Sequence, residues 1–336
     1  MKRIQGFSLI ELMIAMAIGL ITVGGITLVL LSSSTIYRGS DNRAGIQENA
    51  RFGLSVLQED ARMAGYMGCF NLKVEPSRFT NLAKSPTSFL TNYAVPVSGL
   101  EASGTGWTPA LVATEIGLGG HTPTAGNDIL ILRTPTGRST TLTAQMAKAD
   151  NIPVGSAAGF ADGAVAVVSD CDYANLVVLS AAPTGNTLPH GIGTNSNKNT
   201  TIAFSNIKGA TATPVATVVY FVAAASDGIS GNTSLWRQVG SAAGEEIADG
   251  VTQLQLEYGV DTKTTSDGVT TKFVPASAVG TAVVTAVKVS MLLRSRDDGL
   301  ARAAQVYKFG GASQTATDKR LYIPFTTTIA LRNRVR

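Results

Sequence analysis

The chain has 336 residues, of which 44% are hydrophobic and 15% are charged. A sequence with this much apolar material is not a disordered tail, and its length is enough for one large globular domain or two small ones. The formal net charge of +4 is too small for a strongly basic nucleic-acid-binding protein, so nucleic acid is not the expected partner.

The N-terminus predicts a membrane span that follows a short basic leader. Residues 1–6 (MKRIQG) end in Gly6, and residues 7–31 form an apolar run with a single charged residue, Glu11. A helix of about 25 residues crosses the hydrocarbon core of a bilayer. A carboxylate buried there costs roughly 2.5–3.5 kcal/mol on insertion scales, so Glu11 is expected to have a function. The basic leader should stay in the cytoplasm, which directs the rest of the chain outward.

The order glycine, phenylalanine and, four residues further on, glutamate inside an apolar span resembles the N-terminus of a type IV prepilin. The resemblance implies that a prepilin peptidase cuts between Gly6 and Phe7 and that Phe7 is then N-methylated. It also implies that Glu11 meets the terminal amine of a neighbouring subunit, and a charge buried in apolar surroundings is indeed tolerable only when paired. An ordinary secretory signal has a shorter apolar core, and a plain signal anchor leaves Glu11 unexplained.

The helix is expected to continue past the membrane as an amphipathic helix, giving one helix over residues 7–64. Gly65 and Gly68 bracket its predicted end. Apolar residues recur at steps of three or four and form one stripe, made of Ile46, Ala50, Leu54, Leu57, Ala61 and Ala64. Three glycines also interrupt the membrane half, at Gly19, Gly24 and Gly25. Three explanations remain open: close helix packing in a fibre, local melting of the helix outside the bilayer, and the ordinary tolerance of membrane helices for glycine.

Three further segments resemble the PilW group of minor pilins. They are residues 45–69 (GIQENARFGLSVLQEDARMAGYMGC), 247–261 (IADGVTQLQLEYGVD) and 325–334 (FTTTIALRNR). The first segment includes Asp60, and residues 75–245 are not covered by the resemblance. The resemblance to PilW implies a structural subunit of the inner membrane that enters a pilus, or its priming complex, together with other minor pilins and the major pilin. A J-type pseudopilin of type II secretion and an adhesive or DNA-binding module at the pilus tip are the alternatives.

The predicted organisation has four parts. The leader covers residues 1–6, the transmembrane helix residues 7–31 and its amphipathic continuation residues 32–65. Residues 66–336 form a periplasmic or extracellular globular domain. Low charge combined with many small and β-branched residues indicates that this domain is rich in β-structure.

Downstream strand patterns make the predicted fold class α+β, with a pilin-like long helix packed on antiparallel sheet. Short β-branched runs predict strands at Ile129–Arg133, Ala164–Ser169, Leu176–Ser180 and Thr217–Val222. Period-two alternation predicts two half-buried strands. The first places Val283, Val287, Val289, Met291 and Leu293 on one face and Lys288, Ser290 and Arg294 on the other, and the second places Leu321, Ile323, Phe325, Ile329 and Leu331 on one face. Segments 98–126, 184–200 and 224–233 are predicted to be loops.

Two cysteines, Cys69 and Cys171, stand about 100 residues apart. In an oxidising periplasm such an isolated pair is most simply a disulfide, which would stabilise the chain by up to about 4.7 kcal/mol in the chain-entropy model. Two buried free thiols are the alternative. The spacing excludes a CxxC redox motif.

No catalytic motif is found, so the sequence predicts a protein that is not an enzyme and that has no cofactor and no metal site. It contains neither a GxSxG elbow nor a GxxxxGK[ST] loop. His121 and His190 are predicted to lie in exposed loops without a ligand partner. Segments 261–268 and 297–299 are predicted to be turns, because the first lacks the ligand pattern of an EF-hand. The C-terminal arginines, Arg332, Arg334 and Arg336, are expected to form a solvent-exposed edge.

Overall fold

The computed structural model describes residues 8–72, 75–111, 118–144, 151–192, 197–198, 201–202, 209–263 and 267–333. Helix α1 spans Leu9–Met63, and short 3-10 turns occupy Pro76–Arg78, Leu118–Gly120 and Ala276–Ala278. In chain order the strands are β1 (Phe79–Asn81), β2 (Val97–Ser103), β3 (Gly106–Thr108), β4 (Ile129–Pro135), β5 (Thr140–Thr141), β6 (Ile152–Pro153), β7 (Val165–Ser169), β8 (Ala174–Val178), β9 (Thr187–Leu188), β10 (Thr211–Ala224), β11 (Thr233–Val239), β12 (Glu245–Asp249), β13 (Val251–Asp261), β14 (Lys272–Val274), β15 (Val283–Arg294), β16 (Val306–Phe309), β17 (Ala312–Thr315) and β18 (Tyr322–Ala330). Four sequence-predicted residues, Gly6, Phe7, Arg334 and Arg336, lie outside the described residues.

The long helix is confirmed, and it ends within two residues of its predicted end. Gly65 follows it with a φ of 73°, a conformation that glycine adopts at little cost, and its N–H donates to the Arg133 carbonyl at 2.8 Å. The predicted stripe is the docked face. The buried residues of α1 are Ile46, Ala50, Gly53, Leu57 and Ala61. Gly53 is buried in addition to the predicted positions, and Leu54 is only half-buried.

The larger sheet has the strand order β1-β8-β7-β10-β4-β2-β3, with β5 and β11 also paired to β10 and β12 paired to β11. The β1–β8 pair is parallel and the other pairs are antiparallel. The four short runs predicted as strands lie in β4, β7, β8 and β10. The loop prediction for residues 98–126 was wrong where β2 and β3 form. Segment 97–100 pairs with 129–132 of β4, and this long-range pairing overrides the local Gly and Ser content.

The smaller sheet has the order β14-β13-β15-β18, and both alternating segments are strands in it. The prediction of which β15 residues are buried is confirmed except at the start of the strand, where Val284 lies in the core in place of Val283. The register between β13 and β15 shifts between Gly259 and Val260, so that β15 has one extra residue there. Such a bulge reverses the side-chain alternation on one side of it, and sequence alternation alone does not reveal it.

Both sheets pack on the second half of α1 and share one apolar core with it. Two buried side chains connect the sheets by capping backbone groups of β13. Asn127 Oδ1 accepts from the N–H of Leu254 at 2.7 Å, and the Asp128 carboxylate accepts from the N–H groups of Leu256 and Ala102 at 2.8 Å each. Burial raises the pKa of Asp128 to about 6, although these two hydrogen bonds act in the opposite direction. The helix is therefore seated on one contiguous β structure.

Candidate functional site

The first half of α1 is an apolar surface that the other described residues leave uncovered. One helix in the described part of the chain is long and apolar enough to cross a membrane. A stretch of 18 residues in this helix is strongly apolar, and none of its residues is buried. Glu11 is exposed on the first turns of this helix, and no ion pair between described residues includes it. Among the residues that the structure describes, therefore, none covers the apolar surface and none forms an ion pair with the carboxylate.

The second half of α1 is fixed to the larger sheet by a polar cluster centred on Asp60. Arg237 Nε and Nη2 donate to the two carboxylate oxygens of Asp60 at 2.8 and 3.3 Å, and the Tyr220 hydroxyl donates to Oδ2 at 2.6 Å. The side chains of Asp60 and Arg237 are only 13% and 21% exposed. A bidentate arginine–carboxylate pair with a third donor is a strong, oriented contact.

The electrostatics of this cluster favour the ion pair. Burial works against the charged guanidinium, but the hydrogen bond and charge of Asp60 raise the pKa of Arg237 above its usual range. Burial, reinforced by the Asp60 carboxylate, raises the pKa of Tyr220, so this hydroxyl remains a donor. In the sequence, Asp60 stands out only as part of a segment that resembles PilW, and no pattern there points to Tyr220 or Arg237, which are remote in the chain.

A second polar contact holds the helix near its exposed apolar half. Arg38 Nη2 and Asn42 Nδ2 each lie 3.2 Å from Asp297 Oδ2, and Asn42 Oδ1 accepts from the Asp297 N–H at 3.2 Å. The hydrogen bonds from Arg38 and then Asn42 lower the pKa of Asp297. The predicted turn at 297–299 is thus also a helix-binding loop, which the sequence did not indicate.

At the C-terminal end of α1, a side chain and a disulfide bond fix the chain where it leaves the helix. Asn333 Nδ2 donates to the carbonyls of Met63 and Ala64 at 3.4 and 3.2 Å, which satisfies backbone groups that a helix end leaves free. The predicted disulfide is confirmed, with Cys69 and Cys171 bonded and their Cα atoms 4.7 Å apart. Cys171 lies in the turn between β7 and β8, so the bond joins the chain after α1 to the larger sheet.

The histidine predictions were wrong in detail. His121 is half-buried, and its ring centroid lies 3.7 Å from that of Trp236. His190 is buried, and the Asn197 side chain ties its loop to β8. Asn197 Oδ1 accepts from the Val178 N–H at 2.9 Å, and Asn197 Nδ2 donates to the carbonyls of Val178 and His190 at 2.7 and 3.1 Å. Within the described ranges, no three His, Cys, Asp or Glu side chains form a group that could hold a metal ion.

Two family models match the chain. The model described as type IV pilus-assembly protein W (PilW) matches residues 219–333, and the model described as the prokaryotic N-terminal methylation motif matches residues 1–27. No curated protein and no solved structure matches. The two matches support a type IV minor pilin and confirm the resemblance drawn from the sequence. Both families are structural pilin components. Tyr220 and Arg237 lie inside the first match.

Proposed function

We propose that this chain is a minor pilin of the PilW type that primes assembly of a type IV pilus and so supports twitching motility and adhesion. The observation that carries the proposal is the division of α1 into an uncovered apolar half and a half docked on the β structure. An uncovered apolar helix must be covered by lipid or by other helices. A subunit that moves from a membrane into a fibre needs both kinds of cover in turn.

In this proposal, the leader 1–6 is cytoplasmic, residues 7–31 span the inner membrane once, residues 32–65 carry the amphipathic continuation and residues 66–336 lie in the periplasm until the subunit joins a pilus at the cell surface. The partners are the prepilin peptidase, other minor pilins and the major pilin. A pilus is favoured over a secretion pseudopilus because the match over residues 219–333 is to a pilus-assembly protein.

Processing gives the first expected result. The peptidase should cut between Gly6 and Phe7 and leave N-methylated Phe7, because the motif places the cleavage point where the basic leader meets the apolar span. Mass spectrometry of the N-terminal peptide from membranes measures it. Gly6→Ala serves as the comparison and should keep the leader attached. A mature chain that retains residues 1–6, or that begins near Ser34, would contradict the motif assignment.

Glu11 gives the second expected result. In a strain that lacks the gene, the wild-type chain should restore surface pili, whereas Glu11→Ala should reach the membrane at least as well and restore few. Removing a carboxylate eases insertion but also removes the charge that pairs with a neighbour's terminal amine. Counting pili by electron microscopy alongside membrane abundance separates the two effects. Glu48→Ala, a change of an exposed glutamate in the docked half, is the matched control.

Normal pilus numbers with Glu11→Ala at normal abundance would refute the docking role of this carboxylate. Normal pilus numbers in the deletion strain, with loss of protein secretion instead, would assign the chain to a J-type pseudopilin.

A further inference from the structure

Strand β18 forms one edge of the smaller sheet, and half of that edge is unpaired within the described part of the chain. The flanking bonds fix its direction: the Leu331 N–H donates to the Thr285 carbonyl at 2.9 Å, and the Leu321 carbonyl accepts from the Ser295 N–H at 2.8 Å. Odd-numbered residues of β18 therefore bond to β15, and even-numbered residues direct their backbone groups away from the sheet. The outward-facing positions are Tyr322, Pro324, Thr326, Thr328 and Ala330.

The first half of this edge is closed. The Gln305 side chain bonds both backbone groups of Tyr322, at 2.9 and 2.8 Å, and Tyr307 stacks on the Tyr322 ring at 5.1 Å. Pro324 has no N–H to offer. The second half is different: Thr326, Thr328 and Ala330 are exposed, and no backbone hydrogen bond to their outward groups is found within the described residues. Proteins usually cover or block such groups, so an edge that is blocked at one end and open at the other has the form of a strand-docking site.

The helix face beside this edge carries two arginines. Gln58 Nε2 donates to Thr327 Oγ1 at 3.1 Å, which places the Gln58 face of α1 next to β18. Arg51 and Arg62 stand seven residues before and four residues after Gln58, on the same face of the helix. Both arginines are exposed, and neither is in an ion pair with a described residue. They lie about 16 Å apart along the helix axis, a length that about five strand residues cover.

We propose that an extended acidic segment of another pilin subunit adds to the 326–330 edge as a further strand, with carboxylates about four residues apart that meet Arg51 and Arg62. The inference rests on the proposed function, since it needs a neighbouring subunit in the same membrane or fibre. Backbone bonds to the open edge would provide the affinity, and the two arginines would select the partner by charge.

Strand β18 of a second copy does not fit as the occupant. The contacts Gln58–Thr327 and Asn333–Met63 show that β18 and α1 advance in the same sense. Antiparallel pairing of β18 with itself would therefore direct the two apolar helices in opposite senses, which one membrane does not allow. Parallel self-pairing would leave both arginines without a partner, because residues 326–330 (TTTIA) carry no carboxylate.

The test uses the full chain in cells that make the other pilin subunits. A photo-reactive amino acid at the position of Thr326 should cross-link to another pilin subunit, and one at the exposed Ile229 on the β10–β11 loop should not. Thr328→Pro should lower the cross-link yield about tenfold, because it removes one donor and leaves a partner carbonyl unpaired. Pro324 already occupies an outward-facing position of β18, so we expect the folded chain to tolerate proline at the outward-facing position 328 as well. Thr328→Val keeps the N–H and should cross-link like the wild type.

Formation of the Cys69–Cys171 disulfide and the level of the chain report whether each variant folds. Arg51→Glu with Arg62→Glu leaves the strand intact and should also lower the yield, so the proposal stays testable if the proline variant misfolds. Unchanged cross-linking in a folded Thr328→Pro chain, cross-linking to a second copy, or no cross-link at position 326 would overturn the proposal. If pili are restored normally while one of these cross-linking results is obtained, the strand-docking proposal fails and the proposed function stands. If the wild-type chain does not restore pili, the proposed function itself fails.

Discussion

Replacing Asp60 with alanine is expected to lower the free energy of unfolding of the globular domain by about 3 kcal/mol, the lower end for breaking a buried ion pair. The change removes the acceptor of three hydrogen bonds and leaves Arg237 and Tyr220 at the helix–sheet interface without it. Some water reaches both members of the pair, which is why the loss should not be larger. Urea unfolding in detergent, followed by the fluorescence of Trp236 beside Arg237, measures it.

Glu59→Ala is the matched control, because it removes an exposed carboxylate one residue away and should change stability by no more than about 0.5 kcal/mol. Asp60→Asn keeps an acceptor oxygen for Tyr220 and should fall between the two. If Asp60→Ala unfolds at the wild-type urea concentration, the cluster contributes nothing to helix docking. A double-mutant cycle with Arg237→Ala should show strong coupling, since the two side chains are in direct contact.

The outline of this fold was predictable because local patterns specify it. The three- and four-residue spacing of the docked helix face and the alternation in β15 and β18 depend on near neighbours in the sequence. Both were confirmed over most of their length. The disulfide was predictable for a different reason, since Cys69 and Cys171 had no other cysteine to choose.

The contacts that position the helix were not predictable in the same way. Arg237 meets Asp60 only because β11 lies beside β10 under the helix, and a long-range arrangement of this kind leaves no periodic trace in the sequence. Asp297 was assigned to a turn by its neighbours, yet its side chain also binds Arg38. Turn chemistry and tertiary contact use the same residue types, so local sequence identifies the turn and not its partner.

Removing the disulfide is the second large effect. Cys69→Ser is expected to lower the free energy of unfolding by about 2–5 kcal/mol, since the bond closes a loop of about 100 residues in the unfolded chain. The native contact should survive, because Met67 and Phe70 are buried on either side of Cys69 and the Ser169 hydroxyl donates to the Met67 carbonyl at 2.8 Å. The variant should therefore fold and assemble in reduced amount, without a change in partners.

Urea unfolding in detergent with and without a reductant distinguishes this mechanism from local damage at the helix exit. Reductant should lower the unfolding midpoint of the wild-type chain to that of Cys69→Ser and should leave the variant unchanged. Cys171→Ser alone and the double variant should match Cys69→Ser, because each removes the same cross-link. A wild-type midpoint that does not respond to complete reduction would mean that the packing of Met67 and Phe70 alone holds this end of the helix to the sheet.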